Sequence, residues 1–386
     1  MKNKQHMPLF HVAKRASIKW YYAFLIRAAA ILLALVAAGI ITTVLTGLNP
    51  FKVFGALFTG AFGSKRKLWV LLRDIAVMLC IAIALTPAYK MRFWNIGGEG
   101  QVLIGALAAA LTMILLGNVV PHAVLILIMT AASLLAGAVW GVIPALFKAK
   151  WNTNETLFTL MMNYVATQIT AFFIIIFEVP KGAGQIGIIN QSTNAGWFPA
   201  LFGNQYLLTI VIVLILTVMI FFYLKYSKHG YEISVVGESE ATARYVGIKV
   251  EKVILRTMLL SGAICGLTGY LMVAGTDHTL TTTLAGGQGF TAVMVAWLAK
   301  FNPIGMIFSS LLIAFLSRGS GEISTAFGLN HAFGDILTGI ILFFIIGCEF
   351  FINYKLNLRG KAPKEPARPA AEKAPAAPEG KEESHV

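Results

Sequence analysis

Acidic side chains are scarce in this sequence: 17 Asp and Glu stand against 31 Lys and Arg in 386 residues, and charged residues make up only 12% of the chain. So little charge cannot clothe a water-soluble domain of this length, which excludes a soluble fold. Cysteine is also rare. Cys80, Cys265 and Cys348 each lie in apolar sequence without a partner at metal-ligand spacing, so they read as small packing residues and indicate neither a disulfide framework nor a zinc site. The sequence has no G-x-x-x-x-G-K-[ST] phosphate loop, no H-E-x-x-H and no C-x-x-C, so ATP hydrolysis and metal catalysis are not assigned to this polypeptide. No nucleophile and base stand at a sensible spacing for an intramembrane enzyme. His122, His278 and His331 are far apart and read as packing or hydrogen-bonded residues, with no metal site expected. The net charge of +14 would suit nucleic acid, but the basic residues fall at chain ends and between apolar runs, with no basic stripe interleaved with aromatics. Membrane lipid is the partner that this distribution fits.

What is abundant is apolar sequence, 57% of residues, with a mean hydropathy of +0.75. The chain divides into a basic N-terminal segment, 1–21, a transmembrane domain, 22–355, and a Pro/Ala/Lys/Glu-rich tail, 356–386, whose composition predicts disorder. A hydrocarbon core needs about 20 apolar residues per helix. On that basis spans are expected over 22–45, 68–89, 93–117, 123–147, 151–177, 204–226, 253–275, 304–316 and 333–351, with a broken one over 284–300. That is about ten crossings with both ends inside. Residues 51–62 predict an interfacial helix, and Lys65, Arg66 and Lys67 then lie outside, against the positive-inside tendency. The stretches 179–204 and 317–331 are expected as external loops.

The polar stretch 226–252, between two apolar runs, carries Lys228, Arg244, Lys249 and Lys252 and is expected in the cytoplasm. One short helix is predicted inside it: Ser239 as N-cap, Glu240 in the first turn and Gly247 at the end. The pattern G-E-S-E-A-T-A-R-Y-V-G-I resembles the coupling segment of ABC importer permeases, in the branch that serves simple sugars, branched-chain amino acids and nucleosides. Ser239, Glu240 and Ala241 stand where the commonest form has Asn-Pro-Glu. Ser caps a helix about as well as Asn. The resemblance implies that Ser239, Glu240, Ala241, Ala243, Arg244, Tyr245 and Gly247 sit in a cleft of an ATP-binding subunit.

Two glycine-rich segments interrupt the apolar pattern. In F-W-N-I-G-G-E-G-Q, three glycines surround the ionisable Glu99 and the amide Gln101, a sequence unsuited to a lipid-facing helix. The second, T-T-T-L-A-G-G-Q-G-F, contains Gln288 and precedes an apolar stretch too short to span. One such segment in each half points to a transporter built of two repeats. The block N-I-G-G-E-G-Q resembles the same permease branch, and the resemblance places Asn95, Gly97, Gly98, Glu99, Gly100 and Gln101 beside the translocation path. Glycines that merely let helices pack closely are the alternative. The block W-N-T-N-E-T-L-F-T-L-M-M-N-Y also resembles that branch. Asn154 and Glu155 favour a helix start, and Asn163 and Gln168 bring amides into the fifth span, to bond between helices or to touch solute.

The expected fold is therefore all-α and polytopic, with about ten transmembrane helices, broken or re-entrant segments and a type II-like ABC importer permease architecture. The resemblance implies a permease subunit, not an enzyme, in the bacterial plasma membrane. Its partners would be two ATP-binding subunits or one double-length ATPase, a second permease chain, identical or a paralogue, and an external substrate-binding protein or lipoprotein. ATP and Mg²⁺ would be held by the ATPase, and the form N-I-G-G-E-G-Q favours nucleosides over sugars. An ion-coupled secondary transporter is the alternative, with Glu99 and Asp335 as its candidate titratable groups. Removing residues 362–386 is expected to leave uptake unchanged, because the tail has too few large apolar residues to build a core or a span. Loss of assembly on truncation would make it a docking element.

Overall fold

In the computed structural model, residues 10–15 and 19–358 are described. In chain order the elements are β1 (Phe10–Lys14), α1 (Trp20–Thr46), α2 (Pro50–Phe62), α3 (Lys65–Lys90), α4 (Gly98–Leu116), α5 (His122–Trp151), α6 (Glu155–Phe177), β2 (Gln185–Ile186), α7 (Leu207–Tyr226), α8 (Lys228–Glu238), α9 (Glu240–Tyr245), α10 (Val250–Met272), β3 (Leu280–Thr281), α11 (Gln288–Leu298), α12 (Pro303–Phe327), α13 (His331–Asn353) and β4 (Tyr354–Leu358). A π-turn, Val273–Asp277, extends α10. Among the described residues, nine helices are long and apolar enough to cross a membrane. The tenth expected crossing is α11, which at 11 residues spans roughly 16 Å, half a hydrocarbon core. The tail expected over 356–386 lies outside the described residues from 359 onward, and its first three residues belong to β4.

The chain forms two compact units, Met1–Val36 with Ile341–Val386, and Ala37–Ile340. In the first, β1 pairs antiparallel with β4, with Lys14 opposite Tyr354. Ala23 and Ala30 pack on Cys348 and Ile352, and Arg27 pairs with Glu349 at 2.7 Å. This pairing of residues 10–14 with 354–358 has no signature in the sequence.

The second unit is built around α4, α5 and α10. Apolar burial gives no net drive between helices in lipid, so close backbone approach through small residues has to supply the packing. A methyl group on Gly105 would lie 2.3 Å from the Cα of Gly266. One on Gly266 would lie 2.2 Å from the carbonyl oxygen of Ser133, and one on Gly137 2.3 Å from that of Gly262. The second half of α3 is buried all round, from Ala76 to Tyr89, as expected of a helix apolar on every face. The predicted interfacial helix is α2, started by the Asn49 side chain on the Phe51 N–H and by Pro50. It buries Val53, Leu57 and Ala61 and leaves Phe51, Phe58 and Phe62 exposed.

Two expectations are corrected. Residues 317–327 are the last turns of α12, not an external loop. Their polar groups are carried by neighbouring helices: Arg318 pairs with Asp74, and Glu322 with Lys67 at 2.8 Å. The stretch 226–252 holds two helices, not one. Buried Gly230, Ile233, Val236 and Gly237 recur at helical spacing along α8, behind the N-cap Ser227, a local pattern the charged residues obscured.

The glycine contacts generate a prediction. Gly266→Leu is expected to destabilise the protein by about 3 kcal/mol or more and to lower its melting temperature in detergent. Gly321→Ala, whose added methyl would meet no atom within 4 Å, should change it little. Equal melting temperatures for the two variants would refute backbone packing as the core of the fold.

Candidate translocation path and coupling surface

The turn that leads from α3 into α4 is tied down by amides. The Tyr89 hydroxyl donates to the Asn95 carbonyl oxygen at 2.7 Å. The Asn95 side-chain oxygen accepts from the Gly97 N–H at 3.0 Å, and its amide nitrogen donates to Ser261 on α10 at 3.3 Å and to Gln101 at 3.4 Å. Asn163, from α6, accepts the Gly100 N–H at 2.8 Å and donates to the Ile96 carbonyl oxygen at 3.0 Å. These contacts satisfy backbone groups that an irregular turn would otherwise leave bare away from water. Gly97 and Gly100 are also closely confined: an added methyl would lie 3.1 Å from the Asn95 side-chain oxygen, a tight contact, and 2.9 Å from that of Asn163, which would have to shift. Close packing and polar satisfaction thus share the same glycines.

Glu99 joins the two glycine-rich segments. Its carboxylate oxygens accept from the N–H groups of Gly287 and Gly289 at 2.8 and 2.7 Å, at the start of α11. Gly287 is left-handed, with φ +76°, which costs glycine nothing. A helix start leaves its first N–H groups unpaired and carries partial positive charge, so a carboxylate there is both cap and counter-charge. Gly289 allows the approach, because a methyl there would sit 2.4 Å from the Glu99 nitrogen. Between these two glycines, Gln288 has a buried side-chain oxygen with no hydrogen-bond partner.

Gln168 is not part of this group. It lies on the exposed face of α6, in an apolar groove with Tyr164, Val165, Ile169, Phe172 and Phe173, whereas Asn163 on the same helix turns toward α4. Asn154 caps α6 through the Leu157 N–H at 3.1 Å, as the sequence predicts.

In the candidate coupling segment, Ser239 accepts the Thr242 N–H at 3.2 Å, and Gly247 is left-handed at φ +83°, so cap and terminator stand where expected. Glu240, Ala241, Arg244 and Gly247 are exposed, and Arg244 pairs with Glu251 at 3.3 Å. Tyr245 is 92% exposed beside Val246 at 58%. Ala243 departs from expectation. It is fully buried against its own chain, and its carbonyl accepts the Ile248 N–H, so it holds α9 in place and cannot itself be an outward docking residue.

The family described as "branched-chain amino acid transport system / permease component" matches residues 68–346. The chain belongs to this permease family. Among curated relatives, the permease is 30% identical over 338 residues to the guanosine ABC transporter permease protein NupP of Bacillus subtilis, covering 86% of this chain and 96% of that one. It is 28% identical over 340 residues to the glucose ABC transporter permease protein TsgB13 of Haloferax volcanii, covering 84% and 88%. A second guanosine permease protein of Bacillus subtilis, NupQ, is 26% identical over 230 residues, covering 57% and 71%.

Sequence reading missed several residues that build the permease's polar centre: Tyr89, Thr159, Ser261, Gly287 and Gly289. Thr159 accepts the Ile96 N–H at 3.2 Å. Tyr89 also closes a ring of aromatics with Trp94, Trp297 and Phe301, each next to the following at centroid distances of 5.2–6.0 Å. Only the glycines gave a signal, as the second interruption of the apolar pattern.

Glu99→Ala removes both acceptors and is expected to cost about 3 kcal/mol, the value of two charge-assisted bonds discounted for partial solvation. Glu99→Gln keeps one acceptor and should fall between Ala and wild type in both melting temperature and uptake. Wild-type values for Glu99→Ala would show that the carboxylate does not hold α11.

Proposed function

We propose that this permease forms the path of an ATP-binding-cassette importer for a small polar solute of the nucleoside or simple-sugar class, nucleosides being the favoured substrate. The observation that carries the reading is an exposed helix, α9, presenting Tyr245, with Val246 just past its end, in a permease-family chain that has no phosphate loop of its own. Aromatic and aliphatic knobs on a polar loop suit insertion into a cleft of another subunit. ATP and Mg²⁺ are bound by that subunit, present as two ATP-binding chains or one of double length.

The names of the relatives support the solute class, and N-I-G-G-E-G-Q supports nucleosides within it. Glu99, Gln101, Asn163 and Gln288 face or brace the path, and Gln288 offers an unpaired buried oxygen to a solute hydroxyl or amine. NupP and NupQ come from one organism and both resemble this chain, which favours a paralogue as the second permease. The apolar face of α6, with Gln168 as its polar member, suits that second chain. A substrate-binding protein or lipoprotein outside delivers the solute, both ends of the chain lie in the cytoplasm, and the membrane is the bacterial plasma membrane. Ion coupling through Glu99 is disfavoured because both of its oxygens already accept backbone N–H groups.

Vesicles holding the permease with its partner permease and ATP-binding subunit, and supplied with the substrate-binding protein, should take up labelled guanosine in an ATP-dependent, vanadate-sensitive and protonophore-insensitive manner. Tyr245→Ala should abolish co-purification with the ATPase at an unchanged melting temperature, whereas Ala243→Glu should unfold the loop and lower it. Uptake stopped by a protonophore alone would sink the proposal in favour of ion coupling.

A further inference from the structure

The coupling reading uses α9 alone, yet α8, the other helix of the loop, packs directly on α3 and α10. Its last turn presses on the end of α3 backbone to backbone: a methyl on Gly237 would lie 2.0 Å from the Lys90 carbonyl oxygen and 3.3 Å from the Met91 Cα. The Glu232 carboxylate on α8 also pairs with Arg256 on α10 at 2.8 Å. One residue before Lys90 stands Tyr89, 5% exposed, whose hydroxyl holds the Asn95 carbonyl oxygen at 2.7 Å. Asn95 in turn carries the Gly97 N–H, Gln101 and Ser261. Between the two contacts lies Arg92 at φ +60°, a left-handed conformation unfavourable for a residue with a side chain and held only by its surroundings.

We propose that the Gly237–Lys90 contact is a second input from the coupling segment into the path, with Tyr89 as the positioning residue that passes it on. This rests on the reading of 226–252 as the coupling loop. Backbone against backbone leaves no rotamer to absorb a displacement, so a movement of α8 is carried to the end of α3 undiminished. The hydroxyl of Tyr89 then moves the 93–97 turn that begins α4. Glu99, two residues past that turn, holds the start of α11. Tyr89 does not touch the solute in this scheme. Its work is to keep the turn in register with the coupling segment.

The test uses the full chain with its partner permease, its ATP-binding subunit and the substrate-binding protein in vesicles, and reads solute moved per ATP hydrolysed. Tyr89→Phe preserves the ring and its contacts with Trp94 and Phe301, and removes only the hydroxyl. It should keep ATPase association at the wild-type level while lowering the ratio about fivefold, the effect of one neutral hydrogen bond, with a fall in melting temperature no larger than that of the packing control below. Gly237→Ala should lower the same ratio. Ile233→Val, buried in α8 but away from the contact, should leave it unchanged and serves as the packing control. Wild-type ratios for both Tyr89→Phe and Gly237→Ala, or a fall that tracks melting temperature equally in all three variants, would overturn the relay. Absence of ATP-driven uptake in the wild type would instead overturn the importer reading, and the relay with it.

Discussion

A helix that begins inside an apolar slab leaves its first N–H groups without partners, and hydrocarbon offers none. In this permease the Glu99 carboxylate supplies two acceptors to the start of α11. The bond pair does more than cap a helix. It fixes a half-length element onto α4, and it does so from a residue 188 positions away in the chain. Without it the second glycine-rich segment would have no reason to stop where it does, and the unpaired oxygen of Gln288 would have no defined place.

The anchor needs a firm base, which the small-residue seam provides. Gly105, Gly137, Gly262 and Gly266 bring α4, α5 and α10 so close that carbonyl oxygens occupy the space side chains would take. Such packing gains dispersion without relying on water exclusion, which offers no net drive between helices surrounded by lipid. The amides of Asn95 and Asn163 then hang the irregular turn on this seam and on α6. Rigid backbone and satisfied polar groups together fix the geometry of this polar centre.

Polar chain outside the spans is held by the same logic. Glu178 accepts from the N–H groups of Gly182 and Gly184 at 2.8 and 3.0 Å, and these two bonds hold its carboxyl below the usual range. Trp197 stacks on His278 with centroids 3.8 Å apart, and burial holds the imidazole below its ordinary value. The loop after α6 is thereby laced to the π-turn that extends α10, where Phe198 donates to the Ala274 carbonyl oxygen.

Much of the permease was legible in its sequence because the relevant physics is local. Apolar runs set the spans, Ser239 and Gly247 bound α9, Asn154 starts α6, and two glycine-rich interruptions mark the polar centre; each depends on neighbours within a few residues. The partner of Glu99 was not legible, since nothing local says which backbone it will cap. Asn163 and Gln168 sit five residues apart on one helix, yet one braces the turn and the other faces outward, a difference set by where α4 lies. Ala243 looks outward in a sequence and is inward in the fold because Ile248 folds back on it. The sequence by itself determined the spans, caps and breaks, through propensities and hydropathy that act over one or two helical turns. Only the tertiary structure decided which faces meet, because that depends on backbone approach between segments far apart in the chain.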